Sequence, residues 1–576
     1  MNITIQDQTS SLNIQLRKKR SVRSILAKAR RLCLPPVIIF GVAFLSYLAL
    51  GYWLTFRSHA VVGDAWSRVA LANQVLTSRD PSLADIGFVW SPLPTLALIP
   101  LVSLARWIPS LVSLGFASVV FSAACMAGAV GVFERIASDV GVRPKTRTLI
   151  VSLFALSPMT LLYAANGMSE AAEVLALLLA LRPLMKWLHE RETRHLAAAG
   201  LYMALAYLTR YEPIASAAAV AALVALATLC RTPSRRAKKR DILATNVAVV
   251  SFLPAVAFVG WAGFSWLIVG SPFEQFSSAY GNATQVVPQA GEKGSLSFII
   301  QQLMIVAPLL PLLLLTALPL AWRRHDWRPL GALSVLGAPV MFNAFGTYTG
   351  HTLGWLRFHI AAVPLAAVLA AWLLGTISAS GSSRPPRKAL QGLLAIAIVI
   401  LTLASTATIT IPNIQDWDLA MEEYGLMQAA RGVEPRSNPL SQTTRLGERK
   451  IAAWLDDQNL PEGSVILDAF LGFPIQLYTD NPRQFVVNCD LDFQAAAADP
   501  VGFGAKYILV PSGGFLARLD AIARAHPRIY DHGAPFVELV REYKGPSLFD
   551  WKVYRVKNVS QQVRDDFLGS ARVRSI

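Results

Sequence analysis

Residues 196–230 read LAAAGLYMALAYLTRYEPIASAAAVAALVALATLC. Two apolar runs, 196–209 and 213–230, meet at Arg210-Tyr211-Glu212 with almost no loop between them. A charged pair set between two such runs is costly in hydrocarbon and ordinary at its edge. The stretch therefore reads as two membrane helices joined at an interface, and the rest of the chain repeats the theme. Apolar runs fall near 36–55, 92–107, 111–133, 148–165, 169–188, 243–269, 297–321, 329–346, 356–378 and 389–411 as well. The composition agrees. Of 576 residues 54% are hydrophobic and 15% charged, where soluble domains carry about 25% charged residues. Lipid is the solvent for most of this chain.

The net charge of +17 does not point to nucleic acid, because the basic residues gather in short loops between apolar runs, as the positive-inside rule describes. If all runs crossed, the loop Arg231, Arg235, Arg236, Lys238, Lys239, Arg240 would lie opposite the basic N-terminal tail 1–34. Run 92–107 is short and holds Pro92, Pro94 and Pro100, which suits an interfacial or re-entrant segment. Taking it as non-crossing puts every basic loop on the N-terminal side: 135–147, 182–194, 231–240, 323–328 and 384–388. The loops on the other side keep few basic residues, among them Arg57, Arg68, Arg79, Arg210 and Lys293. The expectation is an α-helical polytopic membrane protein of about eleven crossings over 35–411, N-terminus cytoplasmic, with a long first external loop 56–91. The first run, 36–55, ends in the interfacial pair Tyr52-Trp53 and reads as a retained helix, not a cleaved signal.

After residue 411 charged residues become frequent, and 412–576 reads as a soluble α/β domain on the external side. Its expected strands are 465–468, 484–487, 507–510 and 551–556, with an amphipathic helix at 446–455. Cys33, Cys125, Cys230 and Cys489 show no metal-ligand or disulfide spacing.

Four stretches could carry chemistry, and this topology puts all of them on one side. Gly63-Asp64-Ala65-Trp66-Ser67-Arg68 opens the first external loop. Asp64 there could act as a base, or could simply cap a helix over 65–76. Met168-Ser169-Glu170-Ala171-Ala172-Glu173 opens an apolar helix. Glu170 and Glu173 suit the helix dipole, and Glu173 would lie a turn into hydrocarbon, where a carboxylate needs a partner or a watery cavity. Arg210 and Glu212 could bridge each other, or Arg210 could take a phosphate. Tyr348–His359 contributes His351, Arg357 and His359, either as anion ligands at a helix start or as snorkelling interfacial groups. Arg68, among the few basic residues on this side, joins the substrate-binding candidates. No Walker loop, G-x-S-x-G, H-E-x-x-H or dinucleotide fingerprint is credibly placed. A soluble nucleotide would stand on the wrong side for these residues, so a donor would arrive through lipid.

With these residues in place the chain resembles the GT-C superfamily of membrane glycosyltransferases, in particular the bacterial relatives of protein O-mannosyltransferases and aminoarabinose transferases. The likeness rests on Gly63-Asp64-Ala65 in a long first loop, Trp90-Ser91-Pro92-Leu93-Pro94 after it, Leu208–Pro213, and Leu356-Arg357-Phe358-His359 followed by Pro364-Leu365. The resemblance implies an inverting transfer of sugar from a polyprenyl-phosphate donor to a glycan, lipid or protein acceptor, in cell-envelope assembly at the plasma (inner) membrane. It implies Asp64 as catalytic base, with Arg68, Glu170, Glu173, Arg210, Glu212, His351, Arg357 and His359 around the substrates. Many members carry a second acidic residue after the first, where this chain has Ala65. The resemblance thus allows a divalent cation without requiring one. A flippase or transporter of a lipid-linked sugar is the alternative reading. No internal repeat favours it.

Overall fold

The computed structural model describes residues 36–231, 236–281, 294–379, 385–432, 445–514, 516–544 and 549–560. The basic tail 1–34, Cys33, Arg235, Lys293 and Arg384 lie outside the described residues.

Among the described residues seven helices are long and apolar enough to cross a membrane: Val37–Arg57, Phe116–Asp139, Pro213–Arg231, Ala237–Val269, Arg328–Tyr348, Leu356–Ile377 and Gly392–Asn413. Two bent pairs bring the number to nine. Pro144–Ala155 with Pro158–Ala165 is bent by 59°, and Leu296–Val306 with Leu310–Arg324 by 85°. The expected eleven would also include Glu170–Glu190 and Thr193–Thr209, which pack at the centre of the helical core.

We label the elements that position the site. They are α1 (Pro36–Tyr52), α2 (Gly63–Thr77), α3 (Pro92–Val102), α4 (Phe116–Asp139), α5 (Glu170–Glu190), α6 (Thr193–Thr209), α7 (Pro213–Arg231), α8 (Arg328–Tyr348), α9 (Met421–Ala430) and α10 (Ala469–Tyr478). Prolines begin or follow the first residue of many helices, where a missing N–H costs nothing. The run near 92–107 is an 11-residue helix, α3, followed by turns.

Two glycines set the packing around α2 and α5. Gly115 sits at φ +66, and a Cβ there would stand 2.8 Å from Trp66 Cδ1. The close approach lets Trp66 Nε1 donate to the carbonyl of Val112 at 3.1 Å. Gly167, at φ +81, would place a Cβ 2.3 Å from Ser118 Oγ and 3.2 Å from the Ala65 Cβ. Only glycine holds these left-handed, crowded positions without strain. Together they bring the starts of α2 and α5 side by side.

The C-terminal sheet has the order β2-β1-β3-β5-β4, where β1 is Val465–Ile466, β2 Phe485–Val486, β3 Tyr507–Pro511, β4 Val537–Tyr543 and β5 Trp551–Val556. β1 pairs parallel with β2 and β3, and β5 antiparallel with β3 and β4. Alternate residues feed two cores: Val465, Leu509 and Val553 on one face, Ile466, Ile508 and Tyr554 on the other. β4, unforeseen from the sequence, is an edge strand whose residues are mostly half-buried or exposed. It lacks the continuous apolar run that marks a covered strand.

This domain grips the segment that follows α1. Trp66 meets Phe473 and Tyr478 edge-on at 5.4 and 5.6 Å. Gln74 donates to Gln476 at 2.6 Å, and Arg79 pairs with Asp492 and, at 3.7 Å, with Asp490. Residues just past the last long helix stay with the helical body: Ala420 and Leu426 are buried in its core.

Candidate active site

The starts of α2 and α5, the α6–α7 junction, the turn Leu356–His359 and the start of α9 converge on one buried network of charges. The junction exists because Glu212 precedes Pro213, and a residue before proline is disfavoured in a helix. Arg210 accordingly turns extended, at φ −150 and ψ 155. Its guanidinium lies between three carboxylates: Glu170 at 2.6 Å, Glu212 at 2.6 Å and Glu173 at 3.3 Å. Glu170 and Glu212 have no exposed surface and Glu173 almost none. The bridging alternative for Arg210 and Glu212 is therefore realised, extended to two more acids.

Arg357 lies in the one-turn 3-10 helix Leu356–His359 that opens the span Leu356–Ile377. It donates to Asp64 Oδ2 at 2.9 Å and approaches Glu422 at 3.0 Å and Glu170 at 3.8 Å. Its guanidinium also stacks 4.0 Å from the centre of the Trp355 ring. The expected anion ligands Arg210 and Arg357 are thus both committed to carboxylates. Arg68 differs. It is buried, faces the Trp90 ring at 4.6 Å, has no carboxylate at ion-pair distance among the described residues, and leaves Nη1 without a hydrogen-bond partner. Burial, then the charge of Arg210, pushes its pKa down to about 10, so it remains a cation at neutral pH.

Asp64 does not cap α2. The N-cap is Val62, and Asp64 lies in the first turn. Its side chain is 41% exposed, while that of Glu170 is 0%. It is the carboxylate of the network that a substrate in solution can reach. His359 is buried with Nδ1 unpartnered. His351 is not brought in: it is exposed, and its Nδ1 meets Thr349 Oγ1 at 2.9 Å.

Glu422 and Glu423 enter from α9, in a segment the sequence reading assigned to the soluble tail. Glu423 accepts a hydrogen bond from Tyr163. Burial raises the Glu422 carboxyl to about 8, against the opposing pull of Arg357. The available signal was Glu422-Glu423 at the head of a short stretch, Tyr424-Gly425-Leu426-Met427, apolar enough to fold back onto the core.

Asp64, Glu170, Glu173, Glu212, Glu422 and Glu423 make six carboxylates against the three guanidiniums of Arg68, Arg210 and Arg357. Such an excess could hold a divalent cation. However, Arg357 stands where Asp64, Glu170 and Glu422 converge, and a cation there would have to displace its guanidinium. The residues as arranged do not fit a metal, and no step below is routed through one. The close trio of acidic and histidine ligands among the described residues is Glu190, Glu192 and His195, at the far end of α5.

No protein-family profile and no curated protein matches the chain. Its structure is similar to that of ArnT from Cupriavidus metallidurans bound to undecaprenyl phosphate, with a TM-score of 0.51 and 14% identity over 91% of this chain and 98% of that one. The apo form of the same protein gives 0.51 and 14%, over 90% and 97%. The archaeal oligosaccharyltransferase AglB from Archaeoglobus fulgidus, solved with an inhibitory peptide and a dolichol-phosphate, gives 0.41 and 13%, over 92% and 74%; that score is too low to support any conclusion. The polypeptide is a polytopic membrane protein with the GT-C fold and a C-terminal sheet domain.

Proposed function

We propose that the protein is an inverting glycosyltransferase that moves a sugar from a polyprenyl-phosphate donor to an extracytoplasmic glycan, lipid or protein acceptor. The observation that carries the reading is Asp64, a half-exposed carboxylate aimed by a buried arginine beside a second buried arginine without a carboxylate partner. Its likeness in fold to a protein bound to undecaprenyl phosphate supports a donor of that class.

In this mechanism Asp64 takes the proton of the acceptor hydroxyl as its oxygen bonds to the anomeric carbon from the face opposite the phosphate. The bond from that carbon to the phosphate oxygen breaks, and the polyprenyl phosphate leaves with the electron pair. Fixed donors at the point where that charge develops lower the barrier. Arg68 is the group available for it, because Arg210 and Arg357 are held by carboxylates and His351 is exposed. Arg357 is a positioning residue, since its contact with Asp64 fixes which carboxylate oxygen faces outward. Arg210 neutralises the carboxylates behind.

Asp64→Asn keeps the size and removes the base. With a polyprenyl-phosphate sugar and an acceptor, the variant should elute as a monodisperse species and lose about 10²–10⁴-fold in turnover. Activity within about threefold of the parent would exclude Asp64 and pass the role to Glu422. The proposed sidedness, with the N-terminus cytoplasmic and the sheet domain outside the plasma (inner) membrane, has its own test. In a cysteine-free background Leu491→Cys, at a residue 89% exposed, should react with an impermeant reagent added to intact cells. Lys238→Cys should not, and the reverse pattern would invert the topology.

A further inference from the structure

A cavity of about 140 Å³ opens at the other end of α5, large enough for several water molecules and so for a phosphate group. We propose that it is a binding site for the phosphodiester headgroup of an anionic phospholipid. Glu170 and Lys186 are sixteen residues apart on one helix, roughly 24 Å at 1.5 Å per residue. That separation approaches the thickness of a hydrocarbon core, so the cavity lies near the membrane edge opposite the carboxylate network.

Around Asp139 the charges are unevenly matched. Asp139 takes Arg182 Nε at 2.7 Å, while the Lys186 ammonium stays 3.8 Å from the same carboxylate, beyond hydrogen-bonding distance. One acid therefore answers two cations. Arg328 adds a third cation on the wall, held in place by Asp326 at 2.6 Å. The other lining carboxylate, Glu190, faces His195 at 3.0 Å. Met185 supplies an apolar floor. Arg182 and Lys186 are 29% and 32% exposed, partly dehydrated and still reachable from the headgroup layer. Basic pockets between membrane helices at such a depth suit lipid phosphates. A lipid also supplies acyl chains for the bilayer beside the cavity, which a free phosphate cannot. The headgroup would take hydrogen bonds from Lys186 and from Arg182 Nη1 while Asp139 keeps its contacts with Arg182 Nε and Nη2 at 2.7 and 3.4 Å.

The full chain in nanodiscs mixing phosphatidylglycerol with phosphatidylcholine, released for native mass spectrometry, provides the test. The parent should retain phosphatidylglycerol adducts several-fold over phosphatidylcholine. The double variant Arg182→Gln/Lys186→Gln should lose that preference, and Arg182→Lys should keep most of it. Lys238→Gln/Arg240→Gln removes two basic groups near the start of a neighbouring helix and should leave the preference unchanged. Equal loss in both double variants would mean diffuse attraction and overturn the site. So would a parent without preference, or one whose preference disappears when 10-fold excess inorganic phosphate is added. None of these readouts depends on transferase activity.

Discussion

The two ends of α5 carry the same kinds of side chain in opposite circumstances. At the start, Glu170 and Glu173 are sealed from water and meet Arg210 at 2.6 and 3.3 Å. At the far end, Arg182, Lys186, Glu190 and His189 sit around an open cavity, partly wet. An ion pair in water is worth about 0–1 kcal/mol. A buried one adds little net stability, yet breaking it strands a charge and costs about 3–5 kcal/mol. The buried end is therefore rigid by necessity, a frame suited to aiming a reactive carboxylate. The wet end can exchange partners, as a reversible lipid site must.

The comparison breaks first at its extremes. Arg210→Met should be the most damaging substitution, because it leaves Glu170, Glu173 and Glu212 without their shared cation. A loss of about 3–5 kcal/mol would appear as aggregation in detergent or a large drop in melting temperature. Arg182→Gln at the wet end should cost under about 1 kcal/mol. Similar melting temperatures for the two variants would show that the buried network is wetter than its geometry implies.

A smaller effect should separate the two unlike arginines within the site. Arg68→Ala should leave folding nearly intact and lower kcat/KM for the donor about 10–100-fold, the equivalent of a lost charged hydrogen bond of about 1.5–3 kcal/mol. Kinetics with a water-soluble short-chain polyprenyl-phosphate sugar would measure it. Arg68→Lys should recover part of the loss. An unchanged kcat/KM for the donor would return the phosphate to Arg357.

The mildest test is a pH profile. Glu422 goes from an ordinary value of 4.5 to about 8 in the folded protein, chiefly through burial. A carboxyl raised in this way binds a proton on folding. The stability it contributes is complete below pH 4.5 and is lost progressively as pH rises to about 8. The parent's melting temperature should therefore fall between pH 6 and 8, and Glu422→Gln, which mimics the protonated form, should flatten that slope. Parallel profiles would place Glu422 in a wetter setting than the structure gives it.

Much of this was legible in the residues. The apolar runs, the proline-rich segment that became α3, and strands such as Trp551–Val556 follow from local composition and period, which need no knowledge of neighbours. So does the expectation that Asp64, Glu170, Arg210 and Arg357 gather on one side, because each lies near the end of an apolar run, where charges are driven. What stayed hidden depends on contacts between distant segments. β4 is strand-like through its pairing with β5, not through its own pattern. Glu422 and Glu423 look like tail residues until α9 folds back onto the core. His351 and Arg357 stand six residues apart, yet one is exposed and the other buried.

The sequence by itself determined that this chain lives in lipid, where its apolar segments run, and which charged residues lie near their ends. Solvation dictates those properties, and solvation acts on each segment separately. Only the tertiary structure decided which charges meet. It gave Arg210 and Arg357 to carboxylates and left Arg68 without one. Pairing depends on distances of a few ångströms between residues hundreds of positions apart, such as Asp64 and Arg357 at 2.9 Å. Coulomb and hydrogen-bond energies at that range are fixed by packing.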